Sequence, residues 1–318
     1  MAIVPFSLEH VPAAAALVAD GVARLAATVP ALPTTWTEPA VVARVIAGLA
    51  ERGPGLAVLD DGELQAFHAA TLLDGHGGRW SYTPDVGHAA AGPDPARLRE
   101  RLYAGLAETW IRGAVPEHVI TVLADDDVAI GALRSLGFGD HVIDLVRDLS
   151  EIEAGPLPDG LTVRRGVAAD AKAVLALDLG LRRHLTSSPV FLRVGAAPTL
   201  ELHRRRLDDP AEATFLAERS GETVSFLRIG PCATDVASIV RDAGTASITA
   251  AFTRSDLRGD NVATALLAAA VRWASEAGFV RCAVDHESAN REGARFWARH
   301  ATPVTVSMVR RLPPGTVP

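Results

Sequence analysis

Apolar residues in "VATALLAAAVRWASEAG" return every three to four positions. Leu266, Leu267, Ala270, Val271, Ala274 and Ala277 form one stripe, which predicts a helix ended by Gly278. The preceding "TASITAAFT", Thr245 to Thr253, is short, apolar and rich in β-branched residues, as a buried strand is. Between them "RSDLRGDN" has the small and polar residues of a loop. The same change of period occurs earlier, where "RLYAGLAETWIRG" predicts a helix leading into the strand "HVITVLAD", as the later helix leads into "RCAVDHES". At the front of each half, "AIVPFSLEHVPAAAALVAD" and "LTVRRGVAADAKAVLALDLG" read as strand, turn and helix.

One constant offset sets Trp110 on Trp273, Leu136-Gly137-Phe138 on Arg299-His300-Ala301, and Val146-Arg147-Asp148-Leu149 on Val309-Arg310-Arg311-Leu312. The chain therefore reads as a tandem duplication of a domain of about 150 residues, an ordinary domain size. The fold class is α/β (mixed α+β), each copy a twisted mixed sheet flanked by helices. The expected boundaries are 1–149 and 161–318, joined at 150–160 by "SEIEAGPLPDG", which has the Pro and Gly of a linker.

A chain of 318 residues with 48% hydrophobic content can bury a large core. The start has no basic segment ahead of an apolar run, and the run Ala265 to Val271 is too short for a bilayer; the expectation is a cytoplasmic protein without a membrane partner. A formal charge of −7 argues against nucleic acid. Cys232 and Cys282 lack the paired spacing of a zinc site, so both are expected to be structural.

Strand, small-residue loop and helix N-terminus together make a place for a diphosphate, because free backbone N–H groups and the positive helix end point at the anion. The segment Arg258-Gly259-Asp260-Asn261-Val262-Ala263 resembles the acetyl-CoA loop, Arg/Gln-x-x-Gly-x-Gly/Ala, of the GCN5-related N-acetyltransferases. It departs where Asn261 stands for glycine. Asn290-x-x-Gly293-x-x-Phe296-Trp297 resembles the family's downstream Asn-x-x-Ala-x-x-Phe/Leu-Tyr. The likeness spans residues 161–312 and, more faintly, the first copy. It implies two tandem domains of this type, and an acetyl-CoA held by Phe252, Thr253, Arg258, Gly259, Asp260, Asn261, Val262, Ala263, Thr264, Asn290 and Phe296. Asn tolerates the left-handed conformation a glycine would take; the other reading is a plain helix cap by its side chain. In the first copy "PARLRE" falls under the loop, with no glycine and with Glu100 where phosphate would sit, so that copy is expected not to bind CoA.

The implied reaction is attack of an unidentified small-molecule amine on the thioester, which needs a base and donors for the developing oxyanion. The family's tyrosine is replaced by Trp297, and Tyr82 and Tyr103 both lie in the first copy. Base candidates are Asp285 and Glu287, on one face of "RCAVDHES", and His286 on the other. The carboxylates could equally pair with Arg281, Arg291 or Arg295, and His286 could be a satisfied buried histidine. "ADDD" at Asp125 to Asp127 reads as a loop and cap, His76 and His88 lack ligand spacing, and no metal is expected. "HRRRLDD", His203 to Asp209, reads as a solvated helix end, or as a basic spot for the CoA 3′-phosphate. Trp110 and Trp273 read as core. A second reading is a non-catalytic acyl-CoA-binding or regulatory protein, and a substrate alternative is mycothiol-synthase-like acetylation.

Overall fold

A computed structural model describes residues 1–75, 78–313 and 315–316; His76 lies outside them. The chain forms two compact units, Met1–Asp144 with Ala237–Val240 and Thr302–Pro318, and Leu145–Val236 with Arg241–Ala301.

The first unit begins with β1 (Ala2–Pro5), α1 (Val11–Thr28) and α2 (Pro39–Arg52). The segment Leu8–Thr28 is long and apolar enough to cross a membrane by length and composition. Its face of Ala14, Val18, Val22 and Leu25 is buried within the unit. Next come β2 (Gly55–Asp60), β3 (Glu63–Ala69), β4 (Thr71–Gly75), β5 (Gly78–Thr83) and β6 (His88–Ala90). Then follow α3 (Pro95–Arg112), β7 (Glu117–Leu123), α4 (Asp127–Ser135) and β8 (Gly139–Asp148), the last running on into the second unit. One sheet runs β1-β2-β3-β6. The other strands of this unit run β4-β5-β7-β14-β8, where β14 is Thr302–Arg311.

The closing strand of the second copy thus belongs to the first unit. It pairs antiparallel with β7 from Thr305↔Leu123 to Arg311↔Glu117. Val304, Val306 and Met308 are buried, Thr305 Oγ1 donates to Asp144 Oδ2 at 2.8 Å, and Thr121 and Ser307 hydroxyls meet at 2.8 Å. The boundary at 161–318 marks the repeat, whereas the compact units follow contacts, so the two divisions differ at β14, at Ala237–Val240 and over residues 145–160.

The second unit holds β9 (Leu161–Arg165), α5 (Ala171–Thr186), α6 (Leu200–Asp208), β10 (Ala213–Arg219), β11 (Glu222–Pro231), β12 (Thr245–Thr253), α7 (Val262–Glu276), β13 (Arg281–Glu287) and α8 (Arg291–Trp297). Its sheet runs β13-β12-β11-β10-β9. Val174, Leu177, Leu216, Phe226 and Ala250 form a core between α5 and the sheet. Gly278, at φ +89°, ends α7 as the sequence predicts. Trp110 is buried, but Trp273 is half-buried, with the Arg165 guanidinium 6.0 Å from its ring centre.

Candidate functional site

β12 and β13 run parallel and are paired only from Thr245↔Arg281 to Ser247↔Ala283. β12 stays paired with β11 to its end, but with a bulge at the step from Arg228 to Ile229. A bulge bends its strand, and here β12 leaves β13 beyond Ser247. Beside the diverging β12 lies a cavity of about 560 Å³, within the range that takes a small molecule or cofactor. Its walls are Leu181 and His184 of α5, Ser225 to Leu227 of β11, Ala251 to Thr253 of β12, the loop with the start of α7, and Asn290, Phe296, Trp297 and His300 around α8.

The loop owes its shape to two left-handed residues, Gly259 at φ +95° and Asn261 at φ +60°. The Asn261 carbonyl accepts the first helical bond, from Ala265 N–H, while its side chain makes no capping bond. The plain-cap reading therefore gives way to backbone geometry. The N–H groups of Val262, Ala263 and Thr264 have no acceptor within the helix, and all three residues line the cavity. Dipole and donors together make this end of α7 suited to an anion.

Of the eleven residues expected to hold a cofactor, Asp260 alone does not line the cavity. Arg258 donates from Nε to the Thr253 carbonyl at 3.2 Å, ion-pairs with Glu292, and lies 5.8 Å over the Phe252 ring centre. Asn290 caps α8 by accepting from Gly293 N–H at 3.1 Å, and the same oxygen is 3.2 Å from His184 Nε2.

The expected base candidates stand elsewhere. Asp285 is exposed, Glu287 is half-buried, and His286 is buried with Nδ1 3.0 Å from the Glu287 carbonyl. The alternation along β13 is as read from the sequence, yet none of the three lines the cavity. Arg281, one suggested partner, binds Asp242 at 3.0 Å. The cavity's own titratable groups, His184, Glu292 and His300, were not singled out from the sequence. His300 follows Phe296 by one helical turn, and the two rings meet at 4.8 Å. Burial lowers its pKa, and Arg147 and Arg299 lower it further, so its imidazole is neutral near pH 7. Cys282 is buried, which pushes its thiol up to about 12 and leaves it unreactive.

The first unit has the same divergence, filled differently. β5 pairs parallel with β7 from Trp80↔Glu117 to Thr83↔Ile120, and β6 then turns away to β3. His88 Nε2 bridges the gap to the Thr121 carbonyl at 2.9 Å. Arg99 reaches in from α3, donating to His88 Nδ1 at 2.7 Å and to Asp126 at 2.7 Å. Arginine only donates, so His88 is neutral and carries its proton on Nε2. Burial, with Arg99 beside it, lowers His88 to about 4. What remains is a void of about 10 Å³, roughly the room of one water. The N-terminus of α3 is closed by Asp94, which accepts from Arg97 N–H at 3.1 Å. Asp94 thus occupies the place that the fixed sequence offset gave to Glu100. The "ADDD" reading as a cap holds through Asp126, which accepts from Ala129 N–H. Among the described residues no cluster of His, Cys, Asp and Glu could hold a metal ion.

Residues 182–301 match the model of the acetyltransferase (GNAT) family. A solved GCN5-related N-acetyltransferase from Sphaerobacter thermophilus is similar over 100% of this chain and 98% of its own, at 18% identity and a TM-score of 0.61. A tandem GNAT protein from the clavulanic acid biosynthesis pathway is similar over 99% of each chain, at 13% identity and a TM-score of 0.50. No curated protein matches the chain. Residues 182–301 are thus similar to the GNAT family, and the whole length of the chain has the fold of the tandem GNAT protein.

Proposed function

We propose that the protein transfers an acetyl group from acetyl-CoA directly to the amine of a small-molecule acceptor, in the cytoplasm, with the cofactor in the second unit. The observation that carries this is the cavity beside β12, closed at one end by the N-terminus of α7. There the N–H groups of Val262 to Thr264 would hold the diphosphate, and Ala251 to Thr253 of β12 would wall the rest of the cofactor. CoA supplies the activated acyl group; the chain's residues position it and move the proton.

The amine must lose a proton to attack, and His300 has the chemistry for this: it is neutral, and it lines the cavity. Glu287 and Asp285 remain candidates only through water, since neither borders the cavity. Trp297 has no hydroxyl to protonate the departing thiolate, which a thiol pKa of about 8.5 makes dispensable. Calorimetric titration with CoA tests the site and should give one CoA per chain. Incubation with acetyl-CoA and an amine panel should release free thiol only when an acceptor is present. Two equivalent CoA sites, or no CoA binding, would refute the assignment.

A further inference from the structure

A second polar site stands next to the cavity, on the same side of the sheet as α5. Arg228 on β11 follows Leu227 of the cavity wall, and Asp178 on α5 precedes Leu181 of that wall by one turn. His203, read from the sequence as part of a solvated helix end, is instead turned inward. It is 1% exposed, with Nε2 3.3 Å from Asp178 Oδ2. Arg206, half-buried, and Glu212 complete the group. Arg206, Asp178 and Glu212 act electrostatically on Arg228, and Asp178, Arg228 and Arg206 on His203.

A structural ion network satisfies its buried atoms. This one leaves three without a hydrogen-bond partner: Arg228 Nη1, His203 Nε2 and Glu212 Oε2. Arg228 itself is only 6% exposed. The guanidinium is held by one edge, Nε donating to Thr249 Oγ1 at 2.9 Å. Thr249 is the extra residue of the β12 bulge and is exposed, so the buried guanidinium lies directly behind a solvent-facing residue. Thr249 also lies two residues beyond Ser247, where β12 parts from β13. Ala251, two residues on, lines the cavity, so this group borders it near the point where β12 and β13 part.

We propose that Arg228, with Arg206 beside it, binds a carboxylate of the acceptor, so that the substrate class is a small amine bearing a carboxylate group. A guanidinium with an unused Nη1 matches a carboxylate oxygen, and a neighbouring guanidinium adds charge of the same sign. Asp178 and Glu212 offset part of the repulsion that Arg206 exerts on Arg228. The inference rests on the acetyl-transfer reading above.

The test compares matched amines, 4-aminobutyrate and β-alanine against their amides, which differ in the carboxylate alone. Binding to the acetyl-CoA-free protein is read by saturation-transfer NMR, and turnover by thiol release. The carboxylated member should be preferred at least tenfold in kcat/KM or in bound signal. Arg228→Gln and, separately, Arg206→Gln should reduce that preference to within twofold by raising KM for the carboxylated amine alone. Arg206 is partly exposed, so its variant tests the site even if Arg228→Gln does not fold. Equal treatment of each pair by the wild type in both assays, or a preference that survives both substitutions, overturns the inference while leaving acetyl transfer standing. Failure to bind CoA in a separate titration removes both.

Discussion

The two units open a sheet in the same place and use the gap in opposite ways. In the second unit the strands part after Ser247 and leave a cavity whose far end is a bare helix N-terminus. In the first they part after Thr83, and the gap is spanned by His88, Arg99 and Asp126, with Asp94 capping the helix. A cofactor diphosphate needs free N–H groups and backbone without side chains. The first unit caps its helix with Asp94 and fills its own gap with His88, Arg99 and Asp126. The difference comes from a few residues: glycine and a left-handed Asn in one loop, Asp94 and the long Arg99 side chain in the other. Divergence of the strands is a property of the fold; vacancy of the gap is a property of side chains.

The strongest way to sharpen this contrast is to remove the proposed proton acceptor of the open site. His300→Gln is expected to lower kcat by on the order of 10²–10⁴ with CoA affinity nearly unchanged. Glu287→Gln is expected to act weakly, because Glu287 stands outside the cavity. A steady-state comparison decides it: the reverse ranking moves the base to β13 and places a water between it and the amine.

Next in size is the filled gap. Arg99→Met leaves the half-buried Asp126 and His88 without their shared partner, and is expected to cost about 1–3 kcal/mol of stability, the usual penalty for an unmet polar group. Chemical denaturation measures it. The variant should still bind no second CoA, because its helix N-terminus remains capped by Asp94. A second CoA in titration would mean that Arg99 alone closes the site.

Much of the open site was legible because it is local. A strand, a loop and a helix contiguous in sequence carry the phosphate cradle, and ten of its expected residues line the cavity. The base proposed above was not legible: His300 reaches the cavity from the turn after α8, which packs against β13, and no local period encodes that placement, while "VDHE" drew notice by composition. β14 was predicted as a strand but not as a neighbour of β7, since alternation fixes which face is buried and not which strand lies alongside. The first copy's plug was hidden for a related reason: Arg99, Asp126 and His88 are distant in sequence. The fixed offset also slipped, because the cap matching Asn290 is Asp126 and not Asp127.

The histidines of the first unit give a pH dependence. His88 and His118 are both lowered to about 4, His88 by burial and then by Arg99, His118 mainly by burial. An unfolded chain protonates them near 6.5, before the folded one does. Stability is therefore complete above about pH 6.5, falls as pH drops from there to about 4, and is lost no further below that. Between pH 6.5 and 5 the expected loss is about 2 kcal/mol for each histidine. Hydrogen exchange of the β6 and β7 amides at pH 7 and pH 5 should show it. Equal protection would mean that these imidazoles are charged in the folded state.

The smallest effect is expected at Asn261, where the two loops differ most in sequence. A left-handed non-glycine residue costs of order 1–2 kcal/mol, less for Asn than for most. Asn261→Gly relieves that strain but adds freedom to the unfolded chain, so stability should move by less than about 1 kcal/mol. The side chain makes no capping bond, and no donor is released to the cofactor when it goes. It does pack near Gly155, where an added Cβ would stand 2.8 Å from its Nδ2. CoA affinity should accordingly stay within about fivefold, since 1 kcal/mol is a factor of about five. Asn261→Val is the contrasting variant, because a β-branched residue is a true outlier at positive φ. It should distort the loop and weaken CoA binding by tenfold or more in the same titration. If Asn261→Gly weakened binding as much as Asn261→Val, the amide itself would be a ligand to the cofactor, and the loop would work by side-chain contact as well as by backbone shape.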